Sequence, residues 1–220
     1  MSLNAIHLRK LLKIMFLDRK GQISEIRKDI RGDIKKQSDE NGSGGDFYGP
    51  FWADAKGHVF ENLDLRESVK RRISANLKRA NLYPQLCDGF LLWWNQRRRW
   101  TNRPFTKGTY LKKNVNFSDL DAVVKINNIL SAQDGNRDDH FVYPYFSPKP
   151  VLTDESARLG LWMLNQAFPD IEFAELRILD IIRGQTFSID RNPLIGNEGE
   201  NFRRRYLDIL ALRDKLREDY

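Results

Sequence analysis

The spacing of apolar residues predicts helices at the start of the chain. Between Leu3 and Ile34 the apolar positions recur at three- and four-residue steps, as they do on the inner face of a helix. The first set is Leu8, Leu11, Leu12 and Met15, and the second, after Gly21, is Ile23, Ile26, Ile30 and Ile34. This pattern predicts two helices, or one helix interrupted at Gly21. Because Lys and Arg occupy the opposite faces, we expect a solvated hairpin or an arm that packs on another subunit.

Three further helices are predicted in the first half of the chain. Pro50 suits the first turn of a short helix over Phe51–Val59. Asp64 is a suitable N-cap for the next helix, because its carboxylate can accept hydrogen bonds from free backbone amides. The apolar stripe of that helix is Leu65, Val69, Ile73 and Leu77. Pro84 starts a third helix that runs to about Arg98, and its apolar residues are too numerous for one narrow stripe, which indicates burial.

The second half of the chain changes to a strand-like period. Residues 121–132 and 140–146 are rich in β-forming residues and are separated by the turn sequence DGNRDD, so they predict a hairpin. Thr153 is expected to cap the helix that follows. Residues 175–182 and 186–189 predict a second hairpin, and a helix ends the chain.

These elements predict an α+β fold. A helical N-terminal half, about residues 1–100, is expected to pack on a small mixed sheet built from two hairpins, with an intervening helix and a C-terminal helix. We expect a single domain over 1–220. Its predicted parts are N-terminal helices over 1–38, a flexible loop over 39–46, a basic helical region over 47–113, and an α/β core with the C-terminal helix over 114–220.

Composition excludes two broad classes of protein. With 40% hydrophobic and 30% charged residues, the chain of 220 residues fits neither a disordered nor a membrane protein. No apolar run approaches the roughly 18 residues of a membrane span, so no membrane partner and a cytoplasmic location are expected. The single cysteine, Cys87, excludes an internal disulfide, and its apolar neighbours predict a buried, inert thiol.

The positive charge is concentrated in one stretch of the sequence. The chain carries a net charge of +7, and residues 65–113 hold 13 basic residues against two acidic ones. This stretch therefore has a surplus of +11, and the rest of the chain is slightly acidic. Clustered cations favour a polyanion, because neutralising phosphates releases their counterions. Nucleic acid is the first candidate partner, and no cofactor is expected.

The segment WWNQRRRW, Trp93 to Trp100, combines aromatic rings with three adjacent guanidinium groups. Proteins that bind single-stranded nucleic acid stack bases on aromatic rings beside cations. The alternative is that Trp93 and Trp94 are core residues and that the arginines form a solvated helix end. The predicted nucleic-acid-binding residues are Lys70, Arg71, Arg97, Arg98, Arg99, Trp100, Lys112 and Lys113.

Metal and nucleotide motifs are missing from the sequence. No GxxxxGK[ST], GxGxxG, HExxH or GxSxG pattern occurs. Asp54, His58 and Glu61 have a spacing that would place three possible ligands on one helical face, but Gly57 weakens that helix. We therefore assign no metal ligand and no catalytic residue.

The order of elements from Asp121 onward resembles the core of the PD-(D/E)xK nuclease superfamily, in its RecB-like branch. That resemblance implies a carboxylate on the first strand and an acidic-x-Lys motif on the next, which together hold a divalent metal. Here the two positions fall at residues 125–128 and 143–146. Pro144 stands where the acid belongs and Phe146 where the lysine belongs, so the implied active site is degenerate.

The chain is also similar to bacterial proteins of uncharacterised function. The similar segments are FYGPFW, LYPQLCDGFLLWW and RLGLW, which begin at Phe47, Leu82 and Arg158. This second resemblance implies no activity.

Three functions remain open at the level of the sequence. The first is a non-catalytic nucleic-acid-binding module on a degenerate nuclease-like scaffold. The second is an interaction subunit that docks on an acidic protein, which exposed Leu and Ile in residues 3–34 would favour. The third is a metal-dependent hydrolase or nuclease, whose candidate ligands are Asp119, Asp121, Asp138 and Asp139 or the Asp54, His58 and Glu61 group.

Overall fold

The computed structural model describes residues 3–38 and 46–220, so the predicted loop over 39–46 lies outside the described residues except for Asp46. The fold is α+β, as predicted. The helices are α1 (Leu8–Phe16), α2 (Arg19–Ser38), α3 (Gly49–Phe60), α4 (Leu65–Ala75), α5 (Tyr83–Leu92), α6 (Asp154–Ala167) and α7 (Glu198–Arg217). The strands are β1 (Ala5–His7), β2 (Thr106–Lys107), β3 (Lys113–Phe117), β4 (Ala122–Ile126), β5 (Leu130–Gln133), β6 (Asp139–Tyr145), β7 (Leu176–Asp180) and β8 (Gln185–Ser188).

A five-stranded mixed sheet forms the centre of the fold. Its strand order is β2-β5-β6-β7-β8. The hairpins β5–β6 and β7–β8 are antiparallel, as predicted, and β6 runs parallel to β7. A parallel pair needs a crossover connection, and α6 supplies it. Thr153 caps α6 by accepting a hydrogen bond from the Ser156 amide, which confirms the predicted helix start.

A second, three-stranded sheet in the order β1-β4-β3 was not predicted. The single strand predicted over 121–132 is wrong, because β4 and β5 belong to different sheets. Between them Asn128 has a φ of 62°, a left-handed conformation that asparagine tolerates better than most residues. The chain therefore turns from one sheet to the other at this point. β1 runs parallel to β4 and was predicted as part of the first helix.

The two faces of the five-stranded sheet are buried in two separate apolar clusters. Along β6, Phe141, Tyr143 and Tyr145 enter one cluster, while Val142 and the following Phe146 enter the other. This alternation follows from the two-residue period of a strand. One face packs against α1, α6, α7 and the three-stranded sheet, and the other against α3, α4 and α5.

Helix α1 lies inside the first cluster. Its apolar residues are buried against α6 and α7, so neither a solvated hairpin nor an arm for another subunit describes this helix. The break between α1 and α2 lies at residues 17–18, before the predicted position at Gly21. Asp18 precedes α2 and accepts a hydrogen bond from the Gly21 amide in the first turn of that helix. Along α2, Ile26 and Ile30 are buried, whereas Ile34 is 41% exposed.

The helices of the second layer begin where the sequence predicted. Pro50 lies in the first turn of α3, and Asp64 caps α4 by accepting hydrogen bonds from the amides of Arg66 and Glu67. The predicted apolar stripe of α4 ends early, since Leu77 lies beyond the helix and is 77% exposed. Helix α5 continues into one turn of π-helix over Trp93–Arg97. None of the described helices is long and apolar enough to cross a membrane.

Candidate nucleic-acid interface

The predicted basic residues lie on three separate parts of the fold. Lys70 and Arg71 are exposed on α4, and Lys113 begins the edge strand β3, directly after Lys112. Arg97 ends the π-helical turn after α5, and Arg98, Arg99 and Trp100 follow it. Lys70 pairs with Glu67, at an Nζ to Oε1 distance of 2.6 Å. The structure thus does not place the eight predicted residues on one element. Of these residues, Arg97–Trp100 line a cleft together.

Arg97, Arg98 and Arg99 line a cleft of about 340 Å³, which we call the arginine cleft. Two further arginines line it, Arg177 from β7 and Arg191 from the turn after β8. Opposite Arg177 in the strand register is Ser188, which also lines the cleft. Side chains on one face of neighbouring strands form the floor of the cleft, while the segment after α5 forms a wall.

Two close backbone contacts fix that wall against the sheet. A Cβ atom at Gly89 of α5 would lie 2.1 Å from the carbonyl oxygen of Ile181, so only glycine fits. Gly184, in the β7–β8 turn, has a φ of 56° and faces the Gly89 carbonyl. The Arg97 guanidinium then donates to the carbonyl oxygen of Arg183 at 2.7 Å. Helix α5 and the turn therefore hold Arg97 at the rim of the cleft.

Trp100 is a core residue in this structure. Its side chain is 8% exposed, and its ring stacks on His140 with 4.2 Å between ring centroids. The rings of Trp93, Trp94 and Phe105 contact its edges and faces at T-shaped angles. Little of the ring remains for a nucleic-acid base. The base-stacking role that the sequence suggested for Trp100 receives no support from this geometry, and Trp93 and Trp94 are buried as the alternative interpretation held.

Arg98 differs from its two neighbours in its surroundings. Its guanidinium carbon lies 3.6 Å from the ring centroid of Trp94 and 4.4 Å from that of Phe105. Burial lowers the pKa of Arg98 to about 10, with a smaller contribution from the charge of Arg103, so the side chain remains a cation at neutral pH. Arg98 therefore joins the aromatic core to the cleft and is held in place by cation–π contacts.

Among the residues that the structure describes, Asp190 is the one carboxylate that lines the cleft. Asp190 accepts hydrogen bonds from the Ser188 hydroxyl and from Arg99, the latter at 3.2 Å. The Ser188 hydrogen bond, with help from Arg99 and Arg191, holds the pKa of Asp190 below its usual range. Asp190 is thus ionised at neutral pH. Five arginines line the cleft beside this carboxylate, so the cleft carries a positive surplus.

The side chains of the suggested metal group are each engaged elsewhere. Asp54 forms two hydrogen bonds of 2.9 Å with Arg72, and His58 Nδ1 lies 2.8 Å from the carbonyl oxygen of Leu63. Glu61 pairs with Lys107. Across residues 3–38 and 46–220, no group of three or more His, Cys, Asp or Glu side chains is placed to hold a metal ion.

Of the two positions implied by the nuclease resemblance, residues 125–128 lie at the end of β4 and in the link to β5, and residues 143–146 lie in the core of the five-stranded sheet. On one side of β6, Pro144 pairs with Leu179 of β7. On the other side, the pairing with β5 ends at Val142, two residues before Pro144. A proline is tolerated there because no strand needs its missing amide hydrogen on that side. Phe146 is 3% exposed and stacks on Tyr48. These two side chains pack and cannot bind a metal ion.

Sequence reasoning missed Arg177 and Arg191 as members of the cleft. Arg177 is a lone cation in an apolar strand, and Arg191 follows the second hairpin, so neither belongs to the basic stretch. The register of β7 with β8 places Arg177 beside Ser188, and the packing of α5 on the sheet brings Arg97–Arg99 to them. Comparisons of the chain with protein-family models, curated proteins and solved structures found no match. The charge and geometry of the cleft are therefore the basis on which a function can be assigned.

Proposed function

We propose that this protein is a non-catalytic nucleic-acid-binding module whose arginine cleft contacts the phosphate backbone. One observation carries the proposal: five arginines from three separate parts of the chain line one cleft, against a single carboxylate among the described residues. Guanidinium groups match phosphate oxygens, because their planar donors can form two parallel hydrogen bonds. Such a concentration of cations favours a polyanion.

The burial of Trp100 supports a backbone-directed mode of binding. With its ring stacked on His140, the side chain offers little surface for base stacking. Contacts to phosphates position a protein on nucleic acid without reading its sequence. We therefore propose binding with little sequence preference, in which Arg97, Arg99 and Arg191 provide the exposed cations.

A degenerate nuclease-like scaffold is part of the proposal. The order β5, β6, α6 and β7 supports the resemblance, and Pro144 and Phe146 at the motif positions support a role without catalysis. A cytoplasmic location belongs to the same proposal. An acidic protein surface is the competing partner, because carboxylates also pair with guanidinium groups. The competition experiment below separates these two partners.

Removing two exposed arginines of the cleft tests the proposal. Arg99→Ala together with Arg191→Ala should weaken the binding of labelled single-stranded DNA and RNA of different sequences alike. The slope of log affinity against log salt concentration should fall by about two, since each arginine that meets a phosphate contributes about one. Fluorescence anisotropy at several salt concentrations measures both effects.

The matched control removes the same charge from α7. Arg204→Ala together with Arg217→Ala changes two exposed arginines that do not line the cleft. This control should keep the affinity and the salt slope of the wild-type protein. Equal losses in both double variants would mean that only net charge matters, which contradicts a binding cleft. If a polyglutamate peptide displaces the oligonucleotide at equal charge concentration, an acidic protein becomes the favoured partner.

A further inference from the structure

A second pocket lies between the start of α1, the end of β6 and residues 46–48, and we call it the α1 pocket. Its volume is about 380 Å³, within the range of small-molecule sites. It is lined by three cations and three aromatic rings, which are Arg9, Lys10, Lys13, Phe47, Tyr48 and Phe146. The arginine cleft shares none of these residues.

The cations of the α1 pocket differ in how well they are paired. Lys10 lies 2.6 Å from Asp29, and Lys13 lies 3.0 Å from Glu25, so both ammonium groups have close carboxylates. Arg9 donates from Nη2 to Asp46 at 3.3 Å, and its side chain is only 11% exposed. The Nη1 atom of Arg9 is buried and has no hydrogen-bond partner among the described residues. A buried guanidinium donor without an acceptor is unusual in a folded protein, and an anion would supply the missing acceptor.

His7 provides a second polar atom of the same kind. Its Nδ1 is buried and lacks a hydrogen-bond partner within the part of the chain that the structure describes. Burial, together with the nearby charges of Arg9 and Lys125, lowers the pKa of His7 to about 4. The ring is therefore neutral at pH 7 and can donate or accept one hydrogen bond at Nδ1. The two unpartnered nitrogen atoms thus belong to two residues that line the same pocket.

Aromatic rings form the other side of the α1 pocket. Tyr48 stacks on Phe146, with 4.8 Å between centroids and an angle of 9° between the planes. The Arg9 guanidinium lies 5.9 Å from the centroid of Phe146, so the cation and the rings adjoin each other. Tyr48 is half-buried and lines the pocket.

We propose that the α1 pocket binds a small phosphate monoester that carries a flat ring, such as a mononucleotide. The phosphate would accept hydrogen bonds from Arg9 Nη1 and His7 Nδ1, and the ring would lie along Tyr48. Guanidinium groups bind phosphate strongly in a partly buried site, and aromatic faces bind flat rings. This site is independent of the arginine cleft and of its proposed function.

Calorimetric titration of the 220-residue chain at low salt tests the proposal. Adenosine 5′-monophosphate should bind saturably with one site per chain, ribose 5-phosphate should bind more weakly, and adenosine should not bind. Asp46→Asn removes the carboxylate that competes for Arg9 and keeps its hydrogen-bond acceptor for the Tyr48 amide. This exposed change should tighten the binding of the monophosphate by about two- to fivefold.

Loss of the arginine gives the opposite result. Arg9→Gln should weaken binding by about tenfold or more, because the charged donors are gone. Arg31→Gln, on the exposed side of α2, is the matched control and should bind like the wild type. Circular dichroism shows whether each variant is folded. If Arg9→Gln does not fold, the tighter binding expected for Asp46→Asn still tests the proposal.

Three results would overturn the proposal. The first is the absence of saturable binding of the monophosphate at millimolar concentration. The second is adenosine binding as tightly as its monophosphate, which would mean that charge has no role. The third is loss of monophosphate binding in the Arg99→Ala, Arg191→Ala double variant, which would place the ligand in the arginine cleft instead.

Discussion

His140 lies flat against Trp100, with ring planes 11° apart and 4.2 Å between ring centroids. The same imidazole also contacts Asp134, with 3.4 Å between His140 Nε2 and Asp134 Oδ2. Burial by itself would raise the pKa of Asp134, but the amides of Asp138 and Asn136 donate to its carboxylate and keep that pKa below its usual range. The stack thus connects the wall of the arginine cleft to the turn between β5 and β6.

The buried His140 makes the stability of the protein depend on pH. Burial lowers the pKa of His140 from 6.5, although its hydrogen bond with Asp134 acts in the other direction. The unfolded chain binds the proton near pH 6.5, and the folded chain binds it only at lower pH. The free energy of unfolding should therefore fall as the pH drops below about 6.5.

Replacing His140 with phenylalanine tests this link, because phenylalanine keeps a ring against Trp100 and does not titrate. Urea unfolding at several pH values between about 7.5 and 5.5 should show a shallower loss of stability for His140→Phe than for the wild type. His7, whose pKa is about 4, remains in both proteins and affects both equally. Identical pH slopes would show that His140 is protonated equally in the folded and unfolded chains.

Arg98 should contribute more to stability than either neighbouring arginine. Its guanidinium packs over Trp94 and Phe105, so Arg98→Ala removes both cation–π contacts and apolar packing. We expect a loss of about 1–3 kcal/mol in the free energy of unfolding. The control Arg99→Ala breaks an exposed ion pair with Asp190 and should cost less than about 1 kcal/mol. Similar losses for the two variants in urea unfolding would contradict a structural role for Arg98.

The contact between Gly89 and the β7–β8 turn should be essential for the cleft. An alanine Cβ would lie 2.1 Å from the Ile181 carbonyl oxygen, so the backbone must move. We expect Gly89→Ala to lower the unfolding free energy by about 3 kcal/mol or more and to weaken oligonucleotide binding. At Gly32 of α2 a Cβ would meet nothing within 4 Å, and Gly32→Ala should stabilise the protein by about 0.5–1 kcal/mol. A stable Gly89→Ala variant would show that α5 can move without cost.

Cys87 should react slowly with thiol reagents in the native protein. Its side chain is 2% exposed, as the sequence predicted, and burial raises the pKa of the thiol to about 11. Only the thiolate is the nucleophile, and with the raised pKa little of the thiol is ionised near neutral pH. Reaction with a chromogenic disulfide reagent at pH 8 should become fast only when denaturant is added. A fast reaction in the folded protein would mean that α5 opens locally.

Local patterns predicted much of the fold because their causes are local. Helix starts at Pro50, Asp64 and Thr153 depend on nearby backbone amides, and the two hairpins depend on short turns. The three-stranded sheet could not be predicted in this way. It joins β1 to β4, which are more than a hundred residues apart, so no short-range pattern in the sequence records their pairing.

The sequence predicted only the part of the candidate site that comes from adjacent residues. Arg97, Arg98 and Arg99 are adjacent in the sequence, so their positive charge was visible as a cluster. Arg177 and Arg191 join them only through the packing of α5 on the sheet. A ring such as that of Trp100 has the same sequence signature whether it stacks a base or packs in a core. Its burial against His140 became clear only from tertiary structure.

We propose that the arginine cleft binds nucleic acid through phosphate contacts. The most direct test is the affinity of the wild-type protein for a labelled single-stranded oligonucleotide, measured by fluorescence anisotropy at about 50 and 200 mM salt. If several phosphates are contacted, affinity should fall about tenfold or more between these conditions, because counterions are no longer released as favourably. Absence of binding at the lower salt concentration, or an affinity that does not change with salt, would contradict the claim.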